Sequence, residues 1–138
     1  MTTQSTSVER ILGFGTDSGH TFGTVEIAYE TFGTLNADRS NAILIEHALT
    51  GDTRVIEWWA GVVGPGEAVD TDKYFVVCAN SLGGCSGTTG PQSTYDDGLA
   101  YGSRFPRVSI RDMARLEHNL AQILGIDSWV AVIGGSMG

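Results

Sequence analysis

The 138-residue sequence is 41% apolar and 17% charged, the balance of a folded globular domain, and carries 16 acidic against 8 basic side chains for a net charge of −8. No Lys/Arg-rich run interrupts that acidic surplus, so binding to a phosphate backbone is excluded as a function class. The apolar runs are of strand length, far short of the roughly 20 residues that cross a bilayer, and the polar start from Met1 to Arg10 lacks the pattern of a secretory signal. A cytoplasmic location is expected, with no membrane or nucleic-acid partner.

Residues 1–9 read as a flexible N-terminus and 10–138 as part of one domain. Arg10–Phe14 and Thr24–Phe32 read as strands joined by the turn Asp17-Ser18-Gly19-His20, an antiparallel opening hairpin. Asn36–Ser40 is a polar loop. Ala42–His47 and Tyr74–Ala79 are short apolar runs of the kind buried in a parallel sheet. Between them, Thr53–Val63 is expected to hold a short helix with Trp58 and Trp59, ended by Gly64-Pro65-Gly66.

Ser109–Leu124 is the clearest helix. Ser109 is the N-cap, Asp112 occupies the acidic position of a capping box, and Gly125 suits the left-handed C-terminal cap. Ile110, Met113, Leu116, Leu120, Ile123 and Leu124 recur at helical steps and are expected to form its buried stripe. Trp129–Ile133 follows as a strand. This alternation of strands and helices is that of an α/β sheet with right-handed crossovers.

Directly after that strand stands Gly134-Gly135-Ser136-Met137-Gly138, a G-x-S-x-G pattern. On a strand-to-helix turn this pattern resembles the nucleophile elbow of the α/β-hydrolases, with Ser136 as nucleophile and the Met137 amide as one oxyanion donor. A second donor is expected from the loop after the third strand, His47-Ala48-Leu49-Thr50-Gly51-Asp52, and the Leu49 amide is the candidate. In this fold the acid and the histidine follow the serine in chain order, so both are expected beyond Gly138. The 138 residues alone are then expected to be inactive.

Other residues invite chemistry and are set aside. His47, at the exit of a core strand, is expected to bond backbone and not to act as base, and His118 is expected to lie in solvent. Cys78 and Cys85 are too few for a disulfide framework, and the three histidines are too scattered for a zinc site. The loop Asn80–Pro91 is rich in glycine but lacks the lysine of a phosphate-binding loop, and Cys85 has no neighbour in sequence to activate it as a nucleophile. Trp58 and Trp59 stand either as packing residues or as the wall of a substrate pocket.

The segments His47–Asp52, Trp58-Trp59, Gly64-Pro65-Gly66, Asp70–Phe75, Asn80–Cys85, Gly87–Pro91, Ile110-Arg111-Asp112 and Gly134–Gly138 resemble, in order, the blocks of the homoserine O-acetyltransferases, a family of the α/β-hydrolase superfamily. Thr88 and Ser81 depart from the residues usual there. The resemblance implies an N-terminal part of the α/β-hydrolase fold. It also implies acetyl transfer from acetyl-CoA to the hydroxyl of L-homoserine through an acyl-serine, with no cofactor and with a homodimer as the full-length state. Succinyl-CoA as donor, serine as acceptor, a plain serine esterase and a non-catalytic segment are the alternatives.

Overall fold

The computed structural model describes residues 5–138, and residues 1–4 of the expected flexible start lie outside them. In chain order the elements are β1 (Ser7–Gly15), β2 (Thr21–Phe32), β3 (Ala42–Glu46), α1 (Val55–Trp58), β4 (Val63–Gly64), β5 (Val69–Asp70), β6 (Phe75–Ala79), a 3₁₀ turn (Gly102–Arg104), α2 (Ile110–Ile123) and β7 (Ala131–Gly134). Strand pairing already starts at Ser7, which faces Tyr29, so the segment 7–9 belongs to the hairpin and not to a flexible start.

The main sheet has five strands in the order β1-β2-β6-β3-β7. β1 and β2 form the antiparallel hairpin and β2 pairs antiparallel with β6. β3 then lies parallel to both β6 and β7. The chain therefore enters as a hairpin and turns into a parallel sheet, with β3 at its inner position and β7 at the edge.

Both faces of this sheet are covered, which is why its central strands are continuously apolar instead of alternating. On one face Leu44, Val77 and Ala79 meet Leu116, Leu120 and Ala121 of α2, together with Phe22, Val25 and Ile27. On the other, Ile43, Ile45, Val76 and Cys78 meet Val55, Val63 and Val69. The period of two along β3 and β6 thus assigns each residue to one of two cores.

α2 starts where its sequence directs. The Ser109 side chain accepts from the Asp112 amide at 3.0 Å, and the Asp112 carboxylate accepts from the Ser109 amide at 2.8 Å. Gly125, at φ 74°, ends it. Its buried face departs from the expected stripe. Asp112, Leu116, Glu117, Leu120 and Ala121 are buried, whereas Ile110 and Ile123 are 69% and 48% exposed. The polar groups win burial at positions 112 and 117 because each has a partner beneath the helix.

The segment 53–63 is helical only over Val55–Trp58. Gly64 does not end a helix. It belongs to β4, which pairs in parallel with β5 in a small second sheet. The loops on either side of β5 are tied by Asp70, whose carboxylate accepts from the amides of Gly66 at 2.8 Å and Asp72 at 3.0 Å. Two-residue strands carry no periodicity, so the sequence offers no sign of them.

Candidate active site

β7 delivers Gly134–Gly138 at the carboxyl end of the parallel strands, the side on which open α/β sheets bind ligands. Ser136 has φ 63°, a left-handed conformation that a side chain adopts only when the surroundings enforce it. The enforcement is steric. A Cβ on Gly134 would lie 2.3 Å from the backbone of Gly138, and one on Gly138 would lie 2.3 Å from the Glu46 carbonyl oxygen. The turn is closed by the Gly138 amide, which donates to the Gly135 carbonyl at 3.1 Å. Ser136 is left exposed at its apex.

The next residue, Met137, lines a cavity of about 230 Å³ together with His47, Leu49, Asn80, Cys85 and Met113, while Ser136 itself is not among the lining residues. The two proposed oxyanion residues, Leu49 and Met137, thus border one space although 88 positions separate them in the chain (137 − 49). Among the described residues, neither the Leu49 nor the Met137 amide donates a hydrogen bond within the protein. Unused amides are what an oxyanion site requires, since each must be available to a charge that develops only during reaction.

The loop that carries Leu49 is held from below. His47 is buried, and its Nδ1 lies 2.6 Å from the Ala48 carbonyl oxygen. Its Nε2 accepts from the Ser81 amide at 3.1 Å and lies 3.1 Å from Asn80 Nδ2. Asn80 Oδ1 accepts from the amides of Ser86 and Thr88, which leaves its Nδ2 to donate to His47. Thr88 Oγ1 donates to the Asn80 carbonyl at 2.6 Å and accepts from the Ala28 amide at 2.9 Å. The glycine-rich loop is therefore a folded support under the cavity.

A second feature lies against the elbow. The Glu117 carboxyl of α2 is hydrogen-bonded to that of Glu46, the β3 residue paired with Gly134. Burial first, and the Glu46 carboxyl second, push Glu117 up to about 10, so it holds its proton at neutral pH.

Other expected residues sit as follows. His118 is exposed on α2. Cys85 is an exposed free thiol on the cavity wall, while Cys78 is buried in the sheet, where burial pushes its thiol well above the usual range. Trp58 and Trp59 stack with ring centroids 5.4 Å apart, and neither lines the cavity. Trp59 packs instead against the core of Phe32, Ile43 and Val55. Asn80 and Glu117 were invisible as site residues. Nothing in an Asn after a strand, or a Glu beside Leu116 in a helix, signals the partner that buries it.

Comparison with known proteins adds a family to this geometry. No family model matches the chain. A homoserine O-acetyltransferase of Thermobifida fusca is 54% identical over 132 residues, which is 88% of this chain and 35% of that protein. The crystal structure of homoserine O-acetyltransferase from Bacillus anthracis superposes over 100% of this chain and 41% of its own, with a TM-score of 0.91 and 34% identity.

The chain belongs to the homoserine O-acetyltransferase family.

Its fold is that of the α/β-hydrolases, and it spans about a third of the length of the curated homoserine O-acetyltransferases it matches. Esterase E22, another solved structure, is similar to the same degree, at TM-score 0.89 and 35% identity over 97% of this chain and 41% of its own. Met137, Leu49 and Asn80, on the segments that follow β7, β3 and β6, line one cavity.

Proposed function

We propose that this chain is the nucleophile-bearing portion of an enzyme that moves an acetyl group from acetyl-CoA to the hydroxyl of L-homoserine, a step of methionine biosynthesis. Ser136 Oγ attacks the thioester carbonyl, its proton passes to a histidine outside this chain, and the coenzyme A thiolate leaves with a proton. The acetyl-serine ester is then attacked by the homoserine hydroxyl, which frees Ser136 and forms the product ester. The amides of Leu49 and Met137 bind the oxyanion at both steps, each worth roughly 2.7–4 kcal/mol of barrier.

The observation that carries the reading is that Leu49 and Met137, whose amides make no hydrogen bond among the described residues, line one cavity, and that Met137 directly follows a serine held at φ 63°. The identity of 54% to a homoserine O-acetyltransferase supports the choice of donor and acceptor. Transfer to an alcohol in water also requires that the acyl-serine be shielded and the acceptor held close, tasks assigned here to the rest of the protein. Among the described residues no helix is long and apolar enough to cross a membrane. A cytoplasmic location is part of the proposal. A homodimer is proposed for the whole enzyme.

A serine esterase is the second reading, favoured by the fit to esterase E22. Supplying the full-length protein with acetyl-CoA, with and without homoserine, separates them. Homoserine-dependent release of the thiol with O-acetylhomoserine as product supports transfer, whereas acetate release indifferent to homoserine supports hydrolysis.

A further inference from the structure

The Ala48 carbonyl is gripped by two donors at once. The Gly51 amide reaches it at 2.8 Å, closing a turn, and His47 Nδ1 lies 2.6 Å away. The direction of that second bond follows from the other ring nitrogen. His47 Nε2 is met by the Ser81 backbone amide, which has only a proton to offer, and by Asn80 Nδ2, whose own orientation is fixed by the amides on Oδ1. Nε2 is therefore an acceptor, and in the neutral ring the proton sits on Nδ1 and points at Ala48.

The Ala48 carbonyl and the Leu49 N–H belong to one peptide unit. No described peptide bond is cis, so the two groups point in opposite directions from a rigid plane. Fixing the carbonyl inward on His47 and Gly51 fixes the Leu49 N–H outward. Leu49, a loop residue 75% exposed, has little packing of its own to do this. Gly51 also has to be glycine for this clamp, since a Cβ there would stand 2.9 Å from His47 Cβ.

We infer that His47 is a positioning residue for the oxyanion site: its Nδ1–H holds the Ala48–Leu49 peptide plane so that the Leu49 amide faces the cavity shared with Met137. Ser81 and Asn80 act one step further back by fixing the tautomer. This rests on the assignment of the Leu49 amide as an oxyanion donor. It makes His47 important for catalysis with no proton transfer to the substrate.

Three measurements on the full-length protein test it. ¹⁵N-histidine NMR of the wild type reads the tautomer directly: a protonated Nδ1 on His47 is expected, and a protonated Nε2 overturns the inference without any mutation. Acylation by a chromogenic acetyl ester is expected to slow about 10²-fold in His47→Ala with KM little changed, and to recover partly in His47→Gln, whose amide can donate and accept. A purely structural role predicts a lower Tm with unchanged acylation by the folded fraction. Replacing the Leu49 amide by an ester removes only its N–H. If that variant acylates at the wild-type rate, the oxyanion assignment itself fails. If it is slow while His47→Ala is fast, the assignment stands and the role of His47 is overturned.

Discussion

Glu46 and Gly138 touch through the space that a side chain would need. The Glu46 carbonyl oxygen lies 2.3 Å, and its Cβ 3.0 Å, from where a Cβ on Gly138 would sit. The contact is between the end of β3 and the far side of the serine turn, so the elbow is pressed onto the sheet by the absence of a methyl group. Gly135, one residue before the serine, has nothing within 4 Å of its Cβ position.

These two glycines should therefore respond oppositely to the same change. Gly138→Ala is expected to destabilise by about 1–3 kcal/mol through overpacking against backbone that has little room to yield. Acylation of Ser136 should fall with it. Gly135→Ala should leave both nearly unchanged. Denaturant midpoints and acylation rates of the two variants check the contrast.

Ser136 stores strain in its φ of 63°. Replacement by glycine removes the Cβ clash of that conformation, and Ser136→Gly is expected to stabilise the fold by about 1 kcal/mol while abolishing acyl transfer. An unfolding midpoint that rises as activity vanishes is the signature. A midpoint that falls would mean that the serine side chain is needed for packing.

Glu117 gives stability a definite pH dependence. Its carboxyl, ordinarily at 4.5, is raised to about 10 in the folded chain by burial and by the Glu46 carboxyl beside it. The folded state keeps a proton that the unfolded state loses, so stability is greatest below the ordinary value and declines as pH rises through this window. The slope from this one group is at most about 1.4 kcal/mol per pH unit. Glu117→Gln, which mimics the protonated acid, should flatten the decline. Thermal midpoints of both proteins at about pH 5 and about pH 8 measure it.

Asp112 works in the other direction. It is fully buried, which opposes its charge, yet the amides of Ser109 and Asp17 and the Arg115 side chain hold its carboxyl below the usual range. Its contribution is complete above the ordinary aspartate value and is lost as pH falls through the lowered one. Asp112→Ala should cost about 1–3 kcal/mol by stranding the two amides, measured by urea unfolding at neutral pH.

Much of this was legible in the residues. The hairpin, the parallel strands, the Ser109 cap and the Gly125 terminus each rest on local chemistry that a sequence displays directly. The serine turn was legible as well, because its strained geometry demands glycines at fixed spacing. What stayed hidden depends on contacts across the fold. The rotation of α2 that buries Glu117 and exposes Ile110 reflects the Glu46 partner on β3. The role of Asn80 needs β6 to lie beside β3, a pairing that the two runs of apolar residues do not specify. Helical periodicity counts apolar positions and is blind to a buried acid with a partner.

The most direct test of the account is the fate of the acetyl group in the full-length protein. Mixed with acetyl-CoA alone, the enzyme should carry one acetyl on the peptide that contains Ser136. Addition of homoserine should discharge it as O-acetylhomoserine, and Ser136→Ala should do neither. Transfer to homoserine that persists in Ser136→Ala, or an acetyl group found on another residue such as Cys85, would contradict the assignment of this elbow.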